Sequence, residues 1–91
     1  MDQGSKNLVG SRVRKRRLEL GISQEKFADA CQRKGWDLSR GTFSKIEAGL
    51  RRVNDAEVAL LAKVLKCPIG ELLDGFSNDE LSRVARNGDV G

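Results

Sequence analysis

Apolar side chains recur every three or four residues along most of the chain, which is the spacing expected of helices with one buried face. The first apolar stripe predicts a helix over about residues 8–20 that stops at Gly21. An Arg within this stripe is expensive to bury alone, so the pattern also predicts an ion pair inside the fold. The inward positions are Val9, Val13, Arg17 and Leu20, and the outer, solvated face is predicted to carry Arg12, Arg14, Lys15 and Arg16.

The segment between residues 23 and 47 predicts two short amphipathic helices around a polar turn. Ser23 is a suitable N-cap for the second helix, and Gly35 should end it. Ser39 can cap the third helix, and Gly49 should terminate it. The inward positions of these two helices are Phe27, Ala28, Cys31, Phe43 and Ile46, and the outward positions of the third are Arg40, Ser44 and Lys45.

Capping signals define the helices of the C-terminal half. Asn54 followed three residues later by Glu57 is a capping box, which predicts a fourth helix. Pro68 fits the first turn of a short fifth helix. A second capping-box pattern at residues 77–80 predicts a short sixth helix that reaches about residue 85. The residues of helices four and five expected to face the core are Val58, Leu61, Ala62, Leu65, Ile69, Leu72 and Leu73.

Length and composition limit the chain to one small domain, because 91 residues bury too little surface for two cores. With few aromatic residues, Ala, Leu, Val and Ile must build the core, which favours an all-α fold. No apolar stretch approaches a membrane span, and the polar start MDQGSKN lacks the apolar core of a secretion signal. We therefore expect a cytoplasmic protein.

Candidate chemistry along the chain is sparse. Cys31 and Cys67 have no His to share a metal and no CxxC spacing, so we interpret both as reduced core thiols, with a disulfide as the alternative. No metal and no cofactor is expected. The sequence also lacks His, a GxSxG motif, a phosphate loop and clustered carboxylates, which argues against an enzyme.

Charge is distributed unevenly between the two parts of the chain. Residues 1–52 hold 13 Lys or Arg against 6 Asp or Glu, a balance of +7, whereas residues 53–91 hold 4 against 7, a balance of −3. This asymmetry suggests that the N-terminal part faces a polyanion and that the C-terminal part packs or contacts a partner. A cluster of charged residues by itself usually only forms a solvent-exposed surface.

Two motifs carry a resemblance to a known family: SQEKFA at residues 23–28 and SRGTFSKIEAG at residues 39–49. Set between a helix with an inward Arg and a capped apolar helix, they resemble the Cro and phage-repressor (Xre-type) helix-turn-helix family over about residues 8–74. The resemblance implies a compact five-helix lambda-repressor-like DNA-binding domain over residues 7–75. A flexible arm at residues 1–6 would precede it, and a tail at residues 76–91, with the option of a short sixth helix, would follow.

The resemblance also implies roles for individual residues. The recognition-helix positions that meet base edges in the major groove correspond to Arg40, Gly41, Ser44 and Lys45. Positions near DNA phosphates correspond to Gln24, Thr42, Arg51 and Arg52, although Thr42 could cap its own helix and the two arginines could be solvated loop charges. Arg17 and Glu47 correspond to a buried ion pair that ties helix one to the recognition helix.

The chain departs from the family pattern at three places. The stretch QRKGWDL makes the connection between helices two and three longer than the family turn, so helix two could extend or a loop could protrude. Its Trp36 is expected to pack over the core edge, with contact to DNA or a partner as the alternative. Gly41 offers no side chain to a base, and Arg16 replaces an apolar residue.

The function that follows is binding to a double-stranded DNA operator, most commonly to repress transcription, in a bacterial or phage-encoded, nucleoid-associated protein. Two half-sites would require a homodimer, for which helix five with Phe76 and the acidic tail is the candidate surface. These residues could instead only seal the monomer core. The alternative function is a protein-interaction module, an antitoxin or co-regulator with accessory DNA binding.

Overall fold

The computed structural model describes residues 4–89, which form six α-helices and no β-strand. The helices are α1 (Gly10–Glu19), α2 (Gln24–Arg33), α3 (Arg40–Glu47), α4 (Asp55–Leu65), α5 (Gly70–Leu73) and α6 (Asn78–Asp89). The all-α prediction is confirmed. Helix α6 is longer than expected, since the sequence pattern predicted an end near residue 85.

The capping residues expected from the sequence are confirmed at four helices, including the capping box of α6, in which Glu80 N donates to Ser77 Oγ and Ser77 N donates to Glu80 Oε1. Ser23 Oγ accepts a hydrogen bond from Lys26 N at 3.1 Å at the start of α2. At α4, Asn54 Oδ1 accepts from Glu57 N and Glu57 Oε1 accepts from Asn54 N, which completes the capping box. At α3, Ser39 Oγ accepts from the backbone N–H of residue 42 at 3.1 Å. Local chemistry thus fixes where these helices begin.

The core lies between α1, α2, α3 and α4, and α5 closes one end of it. Phe27 of α2 and Phe43 of α3 stack at 4.4 Å between ring centroids, so an aromatic contact fixes how these two helices pack. The prediction that Ile69 and Leu73 close the core is wrong, because they are 46% and 39% exposed. Helix α5 is only four residues long, and Leu72 alone among its side chains points fully inward.

The long connection between α2 and α3 is packed onto the core. Helix α2 ends at Arg33, and residues 34–39 form the connection without extending the helix. Leu38 is fully buried, and Gln32 Nε2 donates to its carbonyl at 2.9 Å. Trp36 is half-buried against the core, as expected. Burial of Leu38 therefore anchors the extra residues beside α3.

The N-terminal segment holds α1 against the end of α3. Asn7 Oδ1 accepts from Gly10 N at 2.8 Å, while Asn7 Nδ2 donates to the carbonyls of Ile46 and Arg51. The helices approach so closely that a Cβ on Gly10 would lie 2.4 Å from Ile46 O, so only glycine fits there. The sequence pattern identified neither Asn7 nor Gly10, although Asn is a preferred capping residue.

The described part of the predicted arm is also attached to the fold. Lys6 N donates to Gly49 O at 2.8 Å, and Ser5 is buried against Gly49. From α6, Asn87 Nδ2 donates to Ser5 O at 3.1 Å. These contacts attach residues 5 and 6 to the fold. Residues 1–3 of that arm and residues 90 and 91 of the tail lie outside the described residues.

The expectation that Arg12 and Arg16 are simply solvated is wrong. The Arg12 guanidinium lies 3.9 Å from the centroid of the Phe76 ring and donates to the carbonyls of Glu71 and Asp74. Arg16 Nε donates to Leu65 O at 3.1 Å. Because the last carbonyls of a helix lack partners within the helix, arginines from α1 satisfy those at the ends of α4 and α5. Hydrogen bonds from α1 thereby hold the ends of α4 and α5 in place.

We expect Arg12→Ala to lower the free energy of unfolding by about 1–2 kcal/mol, because it removes charge-assisted hydrogen bonds and a stacked cation at a partly exposed site. Urea unfolding followed by circular dichroism measures the change. Arg14→Ala is the matched control, since Arg14 is exposed on the same helix. Equal stability of the two variants would show that Arg12 does not hold the C-terminal elements.

Both cysteines are free thiols, Cys31 buried and Cys67 half-buried. Burial raises the pKa of the Cys31 thiol to about 11, and burial is also the main cause of the raised pKa of Cys67. Both groups are therefore protonated and poorly nucleophilic near neutral pH. This agrees with the interpretation of both as reduced thiols.

Candidate nucleic-acid interface

Helix α3 has one buried and one exposed face. Phe43, Ile46 and Glu47 are buried beneath it. The exposed side carries the positions expected to read bases, which are Arg40, Gly41, Ser44 and Lys45. Residues four apart share a helix face, so Arg40 and Ser44 lie one turn apart and Lys45 is beside them. The structure thus brings these four residues onto one open surface.

A buried ion pair supports this surface from below. Arg17 Nε donates to Glu47 Oε2 at 2.7 Å, and Arg17 Nη2 donates to Glu47 Oε1 at 3.0 Å. The two residues are only 7% and 8% exposed. The hydrogen bond to Glu47 raises the pKa of Arg17 further, so the guanidinium remains charged. Arg17 also donates to Ile22 O, which joins α1, the turn before α2 and the end of α3.

Gln24 extends this network to the start of α2. Its Nε2 donates to Glu47 Oε1 at 2.9 Å, which accepts from Arg17 as well. An amide group has two N–H donors, so a second remains for a ligand such as a phosphate oxygen. The first turn of a helix also presents free backbone N–H groups that favour an anion. Gln24 is half-buried, and Glu47 fixes its orientation beside α3.

The remaining residues expected near phosphate differ in their surroundings. Thr42 is half-buried, and its Oγ1 accepts from Ser39 Oγ at 3.0 Å, so it takes part in the cap of its own helix. Arg51 forms a two-pronged ion pair with Glu57, with both N–O distances at 3.0 Å. Arg52 is exposed and leaves its guanidinium accessible. The structure therefore directs Arg51 into the fold and Arg52 toward solvent.

The pairing of Arg51 and Glu57 is electrostatic as well as geometric. Its hydrogen bonds hold the pKa of Glu57 below the usual range and raise that of Arg51. Glu57 is also the acid of the α4 capping box, so one carboxylate serves both interactions. This structural use of Arg51 was not foreseen from the sequence, although the capping box identified Glu57.

Among residues 4–89 no three His, Cys, Asp or Glu side chains are grouped as a metal would require. None of the helices in this range is long and apolar enough to cross a membrane. The exposed basic face of α3 and the start of α2 presents fixed donors and cations, which suit an anionic polymer.

Two short helices packed in this way, with the second presenting an open polar face, define a DNA-binding helix-turn-helix regulator. A family model described as Helix-turn-helix matches residues 13–72, about two thirds of the chain. The protein belongs to the Xre/Cro-like helix-turn-helix family. This confirms the resemblance drawn from the two sequence motifs. No curated protein and no solved structure matches the chain.

Proposed function

We propose that this protein is a transcriptional repressor that binds a specific double-stranded DNA operator and reads its major groove with residues 39–48. The observation that carries the proposal is the division of α3 into two faces. The apolar face and Glu47 are buried. The opposite face exposes Arg40, Gly41, Ser44 and Lys45 together. A helix presented in this way can enter a groove about 12 Å wide without disturbing the core behind it.

Each exposed residue has a distinct role in this proposal. Arg40 contacts a guanine through its two-pronged donor geometry, and Lys45 contacts a second base or a phosphate. Ser44 can bond to several bases. Gly41 lies open to solvent with nothing within 4 Å of a Cβ built there, which leaves room for the DNA to approach the backbone.

Phosphate contacts would set the position of α3 along the duplex. Gln24 is the leading candidate, because its amide is oriented by Glu47 and lies at a helix N-terminus. Arg52 is a further candidate because its guanidinium is exposed. Thr42 and Arg51 remain candidates with weaker support, since both already have partners within the fold.

Specific binding by so small a surface favours two copies on half-sites about 34 Å apart. We propose a homodimer formed through α5 and the tail, since Ile69 and Leu81 expose apolar side chains there. Phe76 belongs to the same proposed surface, and its ring packs against the guanidinium of Arg12. Light scattering of the free and DNA-bound protein tests this assembly, and a monomer in both states would contradict it.

The proposed function predicts steep salt dependence of DNA binding. Each phosphate neutralised by Lys or Arg releases a counterion, so the logarithm of the binding constant should fall linearly with the logarithm of salt concentration. We expect a slope equivalent to several phosphate contacts, measured by fluorescence anisotropy on duplexes selected from a random pool. A scrambled duplex is the control for sequence preference.

A flat salt response, or equal affinity for selected and scrambled duplexes, would contradict the proposed function. The alternative, an antitoxin or co-regulator that mainly holds a protein partner, is favoured by the acidic balance of residues 53–91. That module would bind duplex DNA weakly and with little dependence on sequence.

A further inference from the structure

A cavity of about 340 Å³ lies between α6, the N-terminal segment and the loop that follows α3. Its volume falls in the range of small-molecule sites, which are about 300–1,000 Å³. Its inner wall is formed by the buried side chains of Val9, just before α1, of Val58 in α4 and of Val84 in α6, and its outer edge by more exposed side chains. The apolar residues that line it are Leu8, Val9, Val53, Val58, Leu73, Val84 and Ala85.

Two cations complete the lining, and no carboxylate of the described residues contributes to it. Lys6 and Arg52 are both exposed, and neither side chain forms a hydrogen bond or an ion pair with the described part of the chain. The other polar residue, Asn7, uses both ends of its amide within the fold. The cavity therefore pairs an apolar interior with two available cations.

We propose that this cavity binds a small amphipathic organic anion. The hydrocarbon body would lie along Val9, Val58 and Val84, where burial of apolar surface is favourable. The carboxylate would lie between Lys6 and Arg52, which donate charge-assisted hydrogen bonds. A neutral apolar ligand would leave both cations unused, and a small inorganic anion would leave the apolar wall unfilled.

The cavity adjoins the end of α3, which gives the ligand a route to DNA binding. Asn7, which lines the cavity, donates to Ile46 O and Arg51 O, and Lys6 N donates to Gly49 O. Arg52 also belongs to the phosphate candidates above, so this consequence rests on the proposed function. An anion that occupies Arg52 should compete with phosphate and weaken the complex with DNA.

Octanoate is a suitable probe, with octanol as the uncharged control and acetate as the control without an apolar body. We expect octanoate to bind the DNA-free protein with a dissociation constant between about 0.1 and several millimolar, because a ligand of so few atoms gains limited free energy. Isothermal titration calorimetry gives the affinity, and methyl NMR shifts at Val53, Val58 and Val84 give the location. Octanol should bind at least about fivefold more weakly, and acetate should give no shifts at these methyl groups.

The double variant Lys6→Gln/Arg52→Gln should weaken octanoate binding about tenfold and leave octanol binding unchanged. The matched control is Arg14→Gln/Lys26→Gln, which removes the same charge from exposed positions outside the cavity. No octanoate binding, equal loss in both double variants, or shifts at methyl groups elsewhere would overturn the proposed site.

The consequence for DNA is measured separately, as the affinity of the wild-type protein for its selected duplex with and without saturating octanoate. A fall of about threefold or more supports competition at Arg52, and no change overturns that consequence. If the protein bound no DNA, the proposed function would fail while the calorimetric test of the cavity still stood. If octanoate did not bind, the cavity proposal would fail while DNA binding remained.

Discussion

Glu47→Ala is expected to lower the free energy of unfolding by about 3–5 kcal/mol, because it strands the charge of Arg17 inside the fold. Small domains are stable by only about 5–15 kcal/mol, so this one change would remove a large part of the total. Gln24 would lose its acceptor as well. Urea unfolding monitored by circular dichroism measures the loss.

The control for this prediction removes both charges together. Arg17→Met/Glu47→Met replaces the pair with apolar side chains of similar length, and such replacements in other proteins are often neutral or stabilising. We therefore expect the double variant to recover most of the stability that Glu47→Ala loses. If the double variant were as unstable as the single one, lost packing rather than a stranded charge would be the cause.

Local features of this fold are predictable from the sequence, whereas contacts between distant parts of the chain are not. Helix starts follow from short-range chemistry, and Ser23, Ser39 and Asn54 accept the hydrogen bonds expected of caps. The contacts between helices depend on residues distant in the chain. Gly10 approaches Ile46 O, and no pattern around Gly10 indicates that approach.

Arginine positions illustrate the same limit at the surface. A hydrophobic stripe identified Arg17 as inward, because burial of one helix face has a regular period. The same stripe predicted Arg12 to be solvated, yet it packs on Phe76 and bonds to carbonyls near the end of α5. Long side chains reach groups that periodicity alone does not locate. Arg51 is a second case, since its partner Glu57 became evident only with the loop conformation.

The candidate site was largely predictable because its positions lie on one short helix. Arg40, Ser44 and Lys45 are outward once Phe43 and Ile46 are inward, and helical geometry then requires a common face. The packing of α2 against α3 was not predictable, since it depends on the stacked phenylalanines and on burial of Leu38 in the long connection. The sequence therefore identifies the candidate surface, and the packing of the core determines its orientation.

That orientation gives the second large prediction, which concerns DNA affinity. Arg40→Ala and Lys45→Ala should each weaken binding to the selected operator by roughly 10–100-fold, since a good base contact contributes about 1–3 kcal/mol. The double variant should lose more than about 100-fold. Both side chains are exposed, so circular dichroism should report unchanged folding. Fluorescence anisotropy with the operator measures the affinity.

Loss of general electrostatic attraction must be separated from loss of base contacts. Lys63→Ala/Arg86→Ala removes the same two charges from exposed positions on α4 and α6 and should weaken binding only slightly. Selection from random duplexes then distinguishes the two roles. If Arg40 reads a base, Arg40→Ala should relax the preference at one base pair. If Lys45 binds a phosphate, Lys45→Ala should weaken binding to all sequences alike. If both single variants kept full affinity and the same preferred site, α3 would not be the element that reads the operator.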